Sequence, residues 1–263
     1  MDRFIINYNG NKYQETKKYL TEFIEKSNYT YIAEPFGGIF GFSRYYYLLK
    51  KDNSKLKFLI NDLDNDLIEF YTDLKKDFDG TLDRLKLKFE DIIKDMKIDA
   101  ELTDYLKKNK EDTKLIQMMS KSVSSCFSIT KFITKFDNFL KKKKEYIDML
   151  NRTAFYNLEA NEFINKHKHK KNILFYFDPP YFNSNNKEYT VCDKEGYYDG
   201  TTIYIEILKH FKTSKASNLF ILNKIDVINY IFKDYIYSEY TGVYGNKGKT
   251  KKHHIIYSSN IKF

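Results

Sequence analysis

Proline occurs only three times in the 263 residues, cysteine twice, tryptophan never, and arginine only at positions 3, 44, 84 and 152. The two cysteines, Cys126 and Cys192, cannot build a disulfide framework and form no CxxC pair, so an intracellular, cytoplasmic protein is expected. No apolar run approaches the ~18 residues of a membrane span, and no charged-then-apolar leader stands at the start, so no membrane partner is expected. With arginine so rare, the formal charge of +9 is carried almost entirely by lysine. A basic surface favours polyanions such as nucleic acid. The general bias toward Lys, Asn, Ile, Tyr and Phe weakens arguments from those residues and strengthens arguments from the scarce ones.

What is present alternates between helix and strand. "TKKYLTEFIEK" (16–26) sets Tyr19, Leu20, Phe23 and Ile24 at helical spacing, and "YTYIAE" (29–34) reads as a strand ending at Glu34. A helix over 41–50, a strand over 57–62 and a helix over 65–76 follow, which implies a parallel sheet with crossovers. From about 77 to 152 the pattern changes to lysine-rich helical pieces with no convincing core strand. Strands near 153–157, 172–177, 218–222, 235–240 and 253–259, with helices near 158–167, 201–212 and 225–233, restore the alternation. The expected organisation is a sheet domain built from 1–76 and 153–263, interrupted by an insertion over 77–152.

The three prolines fall at two sites, each after an apolar run and an acid. Pro35 lies in "IAEPFGGIFGF", and Pro179 and Pro180 lie in "FYFDPPYFNSNNKEY". Both sites stand at the carboxyl end of an expected strand, where open parallel sheets bind ligands. Glycines after the first strand let the backbone turn tightly and approach a ligand. Asp62, ending the second strand, can accept ribose hydroxyl hydrogens, and a glycine turn with a capping Asp before a helix is the alternative. The turn Asp178-Pro179-Pro180-Tyr181 suits an exocyclic adenine amino group, a poor nucleophile because its lone pair is delocalised into the ring. Asp178 Oδ and the Pro179 carbonyl, stiffened by the prolines, can accept its two hydrogens and favour the reactive pyramidal geometry. Tyr181 can stack on a base removed from its helix.

These residues resemble the Dam-like family of DNA adenine-N6 methyltransferases. "NYNGNK" (7–12) is similar to the family's opening "KWAGGK", with Tyr8, Gly10 and Lys12 in the matching places. Glu34, Pro35, Phe36 and Gly38 match its "EPFVGGG" loop, although Ile39 and Phe40 stand where glycines are expected. Residues 61–68 resemble "ADINxDLI", and DPPY matches outright at 178–181. "ISN" and "RKKVDELL" have weak counterparts at 221–223 and 251–256.

The resemblance implies a Rossmann-like S-adenosylmethionine-dependent methyltransferase sheet with a mostly helical inserted target-recognition domain. Cofactor contacts would be Tyr8, Lys12, Glu34, Pro35, Phe36, Gly38, Asp62 and Asp178. Catalysis would fall to Asp178, Pro179, Pro180 and Tyr181. The donor would be S-adenosylmethionine, the product S-adenosylhomocysteine, with no metal. The substrate would be double-stranded DNA, and a cognate restriction nuclease is a candidate partner. A monomer is expected, with a dimer as the alternative.

For DNA binding the candidates are the run Lys141, Lys142, Lys143 and Lys144, then Arg152, and Lys247 and Lys249 in the basic loop "GNKGKTKKHH". Plain solvated charge is the alternative for the lysines, and Arg152 is a candidate base reader because arginine is the commonest reader of guanine. "HKHKK" (167–171) reads as a solvated basic loop rather than a zinc site, because no cysteine pair is near it in sequence. Three rival readings remain: methylation of RNA adenine, methylation of a protein glutamine, and a catalytically silent nucleic-acid-binding homologue.

Overall fold

Residues 173–177, "ILFYF", are apolar throughout and all five are buried. A strand with no polar face belongs inside a sheet that is covered on both sides. The computed structural model describes residues 5–6, 12–96, 98–110, 112–121, 126–179, 200–244 and 250–261. In chain order, α1 (Tyr13–Tyr19) and α2 (Thr21–Lys26) lead into β1 (Tyr31–Glu34), followed by α3 (Gly41–Lys50), β2 (Lys57–Asn61) and α4 (Asn65–Lys76). Next come α5 (Phe78–Ile93), α6 (Asp99–Lys108), α7 (Lys114–Ser120), α8 (Ile129–Leu140) and α9 (Lys143–Asn151). The chain then forms β3 (Thr153–Tyr156), α10 (Ala160–His167), β4 (Ile173–Phe177), α11 (Gly200–Thr213) and β5 (Ser217–Asn223). It closes with α12 (Asp226–Ile231), β6 (Ile236–Tyr244) and β7 (Thr250–Ser259).

The seven strands form one sheet in the order β3-β2-β1-β4-β5-β7-β6. The first five in that order pair in parallel, while β7 runs antiparallel between β5 and β6. From β1 the chain moves outward through β2 to β3, then crosses back to place β4 on the other side of β1. That reversal opens a crevice beyond the carboxyl ends of β1 and β4. The fold is a Rossmann-like doubly wound sheet with an antiparallel pair at one edge.

Alternation along the strands splits the core in two. Leu174 and Tyr176 join a cluster with Ile32, Phe58, Ile60 and the apolar faces of α1 to α9. Ile173, Phe175 and Phe177 join the opposite cluster with Leu59, Phe220 and helices α10 to α12. The described residues of 77–152 are mostly helical as expected, and their buried Phe89, Leu102, Met119 and Phe132 lie in the first of these clusters. The segment packs on α4 through α5 and α9, and its apolar side chains continue the cluster on that side of the sheet.

Two local expectations need correction. The single helix expected over 16–26 is broken at Leu20, whose φ of −122° leaves the helical range. The Thr21 hydroxyl donates to the Lys17 carbonyl at 2.5 Å, the i−4 back-bond that bends helices. The second concerns His167, expected in a solvated loop. It is the last residue of α10 and is buried, edge-on to the rings of Tyr156 and Phe163. Burial, with Lys170 and Lys166 adding to it, pushes its pKa down to about 4. Only the lysines beyond it are basic surface.

Candidate active site at the carboxyl ends of the central strands

Glu34 ends β1, Asp62 follows β2 and Asp178 follows β4, so three acids from separate parts of the sequence converge at the crevice. The loop after β1 is held on both sides. Gly37 N–H donates to the Asn61 carbonyl at 2.7 Å, and Gly38 N–H donates to Asp62 Oδ2 at the same distance. A Cβ on Gly37 would stand 2.5 Å from Ile60 Cγ2, so no side chain fits there. Gly38 has φ +47°, in the left-handed region that favours glycine. Its carbonyl accepts from the Tyr71 hydroxyl at 2.9 Å. Asn61 closes the loop from below, donating to the carbonyls of Pro35 and Leu158 at 3.0 and 2.9 Å.

Ile39 and Phe40, which replace expected glycines, do not occupy the crevice. Both side chains are buried in the core, and the Phe40 ring packs edge-on to Tyr71 at 5.0 Å. Phe40 itself keeps a left-handed backbone, φ +40°. The loop thus retains a glycine-like path at this residue and uses the side chain for packing.

No motif in the sequence marks Arg44. Fully buried in α3, it donates from Nε to the Ile39 carbonyl at 3.0 Å and lies 5.1 Å from the Tyr13 ring centroid. It fastens the loop from within. In a chain with four arginines, its scarcity was the available signal.

Glu34 is also buried, and its Oε1 accepts the Ser43 N–H at 2.8 Å near the start of α3. Burial pushes its pKa up to about 8. The Ser43 hydrogen bonds and the Arg44 charge oppose that rise, and the charge of Asp178 adds to it. Glu34 therefore anchors α3 at the crevice. Asp62 accepts from Gly38 through Oδ2 and from the Asp64 N–H through Oδ1 at 2.9 Å. Each of its oxygens keeps a lone pair for a ligand hydroxyl.

Lys12 and Asp178 meet at the crevice. Lys12 Nζ lies 3.5 Å from Asp178 Oδ1 and 3.2 Å from Glu15 Oε2. Burial pushes the Asp178 carboxyl up to about 7, Lys12 pulls it down and Glu15 pushes it up again. Glu15, one helical turn from Lys12, also accepts from the Tyr240 hydroxyl at 3.2 Å, tying β6 to this corner. Its i+3 spacing from Lys12 was legible, whereas its link to β6 was not. Pro179 is buried beside Asp178, and Phe36 is half-buried against the cluster under α10 to α12. Tyr8, Pro180, Tyr181, Lys247 and Lys249 lie outside the described residues.

The DNA-binding candidates divide. Lys141 and Lys142 form the turn from α8 into α9, and Lys143 and Lys144 open α9, where Lys143 pairs with Asp79 of α5 at 2.6 Å. Arg152 sits just before β3, at the amino edge of the sheet and opposite to the crevice. Its guanidinium donates to the carbonyls of Lys51 and Asn53, both at 2.9 Å, and pairs with Asp148. Reading a base from there would require breaking these bonds.

Among solved structures, an rRNA methyltransferase, AviRa from Streptomyces viridochromogenes, aligns with 96% of this chain and 87% of its own. Identity is 11% and the TM-score 0.40. No curated protein matches the sequence significantly. The family model of the D12 class N6 adenine-specific DNA methyltransferases matches residues 8–246, a span that contains every element of the crevice. The chain belongs to that family and is an adenine-specific DNA methyltransferase.

Proposed function

We propose that the protein methylates N6 of an adenine flipped out of double-stranded DNA, with S-adenosylmethionine as donor. The observation that carries this reading is the convergence of Glu34, Asp62 and Asp178-Pro179 on one crevice, around a loop with no room for a side chain at Gly37. The residues fit the cofactor, because Asp62 has acceptor capacity left for two ribose hydroxyls beside a close-approach backbone. Bound there, S-adenosylmethionine supplies an electrophilic methyl group and S-adenosylhomocysteine is the product. Lys12 orients Asp178, Phe36 forms part of the wall, and Tyr8 is assigned to the wall by its place in the family's opening motif alone. Asp178 Oδ and the Pro179 carbonyl accept the two amino hydrogens and localise the lone pair on N6. Tyr181 stacks on the flipped base. Incubation with labelled S-adenosylmethionine and DNA, RNA or protein should label DNA at adenine N6. Label confined to RNA or protein would overturn the reading.

The carboxyl of Asp178 sets a pH dependence. Its pKa is raised to about 7, so the acceptor is ionised only above that range in the free enzyme. The value of kcat/KM for DNA, which reports free-enzyme groups, should fall on acidification through about 7. Lys12→Met removes the cation that lowers this pKa, and the acid limb should move to higher pH. A flat profile between roughly pH 6 and 8 would contradict the role given to Asp178.

Residues 77–152 are proposed as the target reader, with 1–76 and 153–263 as the catalytic body. Lysine contacts to phosphates would supply salt-dependent affinity, and a few polar contacts would supply specificity. Replacing Lys141 to Lys144 by alanine should weaken DNA binding across all sequences. The slope of log affinity against log salt should flatten by up to about 3 to 4. Cofactor affinity should not change. Fluorescence anisotropy over a salt series makes the measurement, and an unaltered slope would place the phosphate contacts elsewhere.

A further inference from the structure

Lys114 opens α7, inside the inserted helical layer, yet its ammonium reaches out of that layer. It pairs with Asp64 Oδ1 at 2.6 Å and with Asp66 Oδ2 at 3.0 Å. Asp64 is two residues from Asp62, and its side chain is only 5% exposed. The Asp64 N–H donates to Asp62 Oδ1, and the Asp64 carboxylate caps α4 by accepting the Leu67 N–H at 3.3 Å. One side chain of the insertion thus holds the residue that orients the crevice acid.

The presentation of Lys114 is itself built. The Thr113 hydroxyl donates to the Asn109 carbonyl, and Gln117 Nε2 donates to Thr113 Oγ1 at 3.0 Å and to the Lys110 carbonyl at 2.9 Å. Lys88 of α5 donates to the Asp112 carbonyl at 2.5 Å. The turn into α7 is pinned to the turn that ends α6 and to α5. A solvated lysine would not need such a frame.

We propose that Lys114 is a positioning residue for cofactor binding, through which the inserted layer braces the β2–α4 turn and holds Asp62 in its accepting geometry. This rests on the reading of Asp62 as the ribose acceptor. The ammonium has two effects. It fixes Asp64, so that the Asp64 N–H keeps Asp62 oriented. It also adds a positive charge close to a carboxylate whose neighbours include Asp64 and Asp66. Burial raises the Asp62 pKa, the amides of Asp64 and Gly38 lower it, the Asp64 charge raises it, and the Lys114 charge lowers it.

The test measures S-adenosylmethionine affinity by calorimetry as a function of pH, together with KM and kcat on DNA. The proteins are wild type, Lys114→Met, Lys114→Gln, Lys114→Arg and Asp62→Ala. Lys114→Met should bind the cofactor about tenfold more weakly, with kcat at saturating cofactor retained, because the lost interaction serves ground and transition states alike. The acid limb of its affinity should move to higher pH, since Asp62 loses a stabilising cation. Lys114→Gln, which keeps a donor without the charge, should show the pH shift with a smaller affinity loss. It also carries the test if the methionine variant folds poorly. Lys114→Arg should restore both. If Asp62→Ala binds weakly while Lys114→Met and Lys114→Gln match wild type at every pH, the bracing role is wrong and the ribose reading stands. If Asp62→Ala binds as wild type, the ribose reading fails and takes this proposal with it.

Discussion

Asp178→Ala is expected to lower turnover at saturating cofactor and DNA by at least about a hundredfold, the usual loss when one preorganised partner of a reacting group is removed. Asp178 provides one of the two acceptors proposed for the amino hydrogens, and alanine leaves only the Pro179 carbonyl. Stability should not fall with it. The carboxyl is held in surroundings that penalise its charge, with a pKa raised to about 7, so its removal relieves a desolvation cost. Lys12 is not stranded either, because Glu15 remains 3.2 Å away. Thermal unfolding should therefore show a melting temperature unchanged or raised while methylation collapses, the trade expected of a residue kept for function. Near-normal methylation by this variant would remove Asp178 from the mechanism.

The second large effect falls on binding. Asp62→Ala should weaken S-adenosylmethionine by about a hundredfold, since two charge-assisted hydrogen bonds are worth roughly 1.5–3 kcal/mol each before compensation. The same change leaves the Gly38 and Asp64 amides without the acceptor that now holds them at 2.7 and 2.9 Å. The loop after β1 should loosen as well. Turnover at saturating cofactor should largely survive, because a ribose contact is made in ground and transition states alike. Unchanged affinity by calorimetry would show that the acid after β2 does not serve the ribose.

Much of the architecture was legible because its signals are local. The run "ILFYF" announces a doubly buried strand without reference to any neighbour, and the strand limits expected at 57–62 and 172–177 differ from the observed Lys57–Asn61 and Ile173–Phe177 by one residue at most. Where a side chain made a tertiary choice, the local signal failed. Apolar spacing through Leu20 argues for one helix over 16–26, yet the Thr21 hydroxyl turns back to the Lys17 carbonyl and also meets the Tyr45 hydroxyl at 2.8 Å. His167 looks like the start of a basic loop, but it closes an aromatic corner with Tyr156 and Phe163.

The sequence by itself determined the α/β alternation, the long helical interruption and the residue types that stand at the two proline turns. In each, the residue types carry their own constraint: a rigid carbonyl needs proline, a close turn needs glycine, and an acceptor needs an acid. Tertiary structure alone decided which groups meet. The path of the loop at Ile39 and Phe40 depends on a core pocket against Tyr71, and the fastening of that loop depends on Arg44 beneath it. Arg152, a candidate reader by its type, is bonded to the carbonyls of Lys51 and Asn53 about a hundred residues away. The pairing of Lys114 with Asp64 likewise spans 50 residues. Such contacts leave no period or motif in the chain, because they depend on how separate elements stack and not on the residues adjacent in sequence.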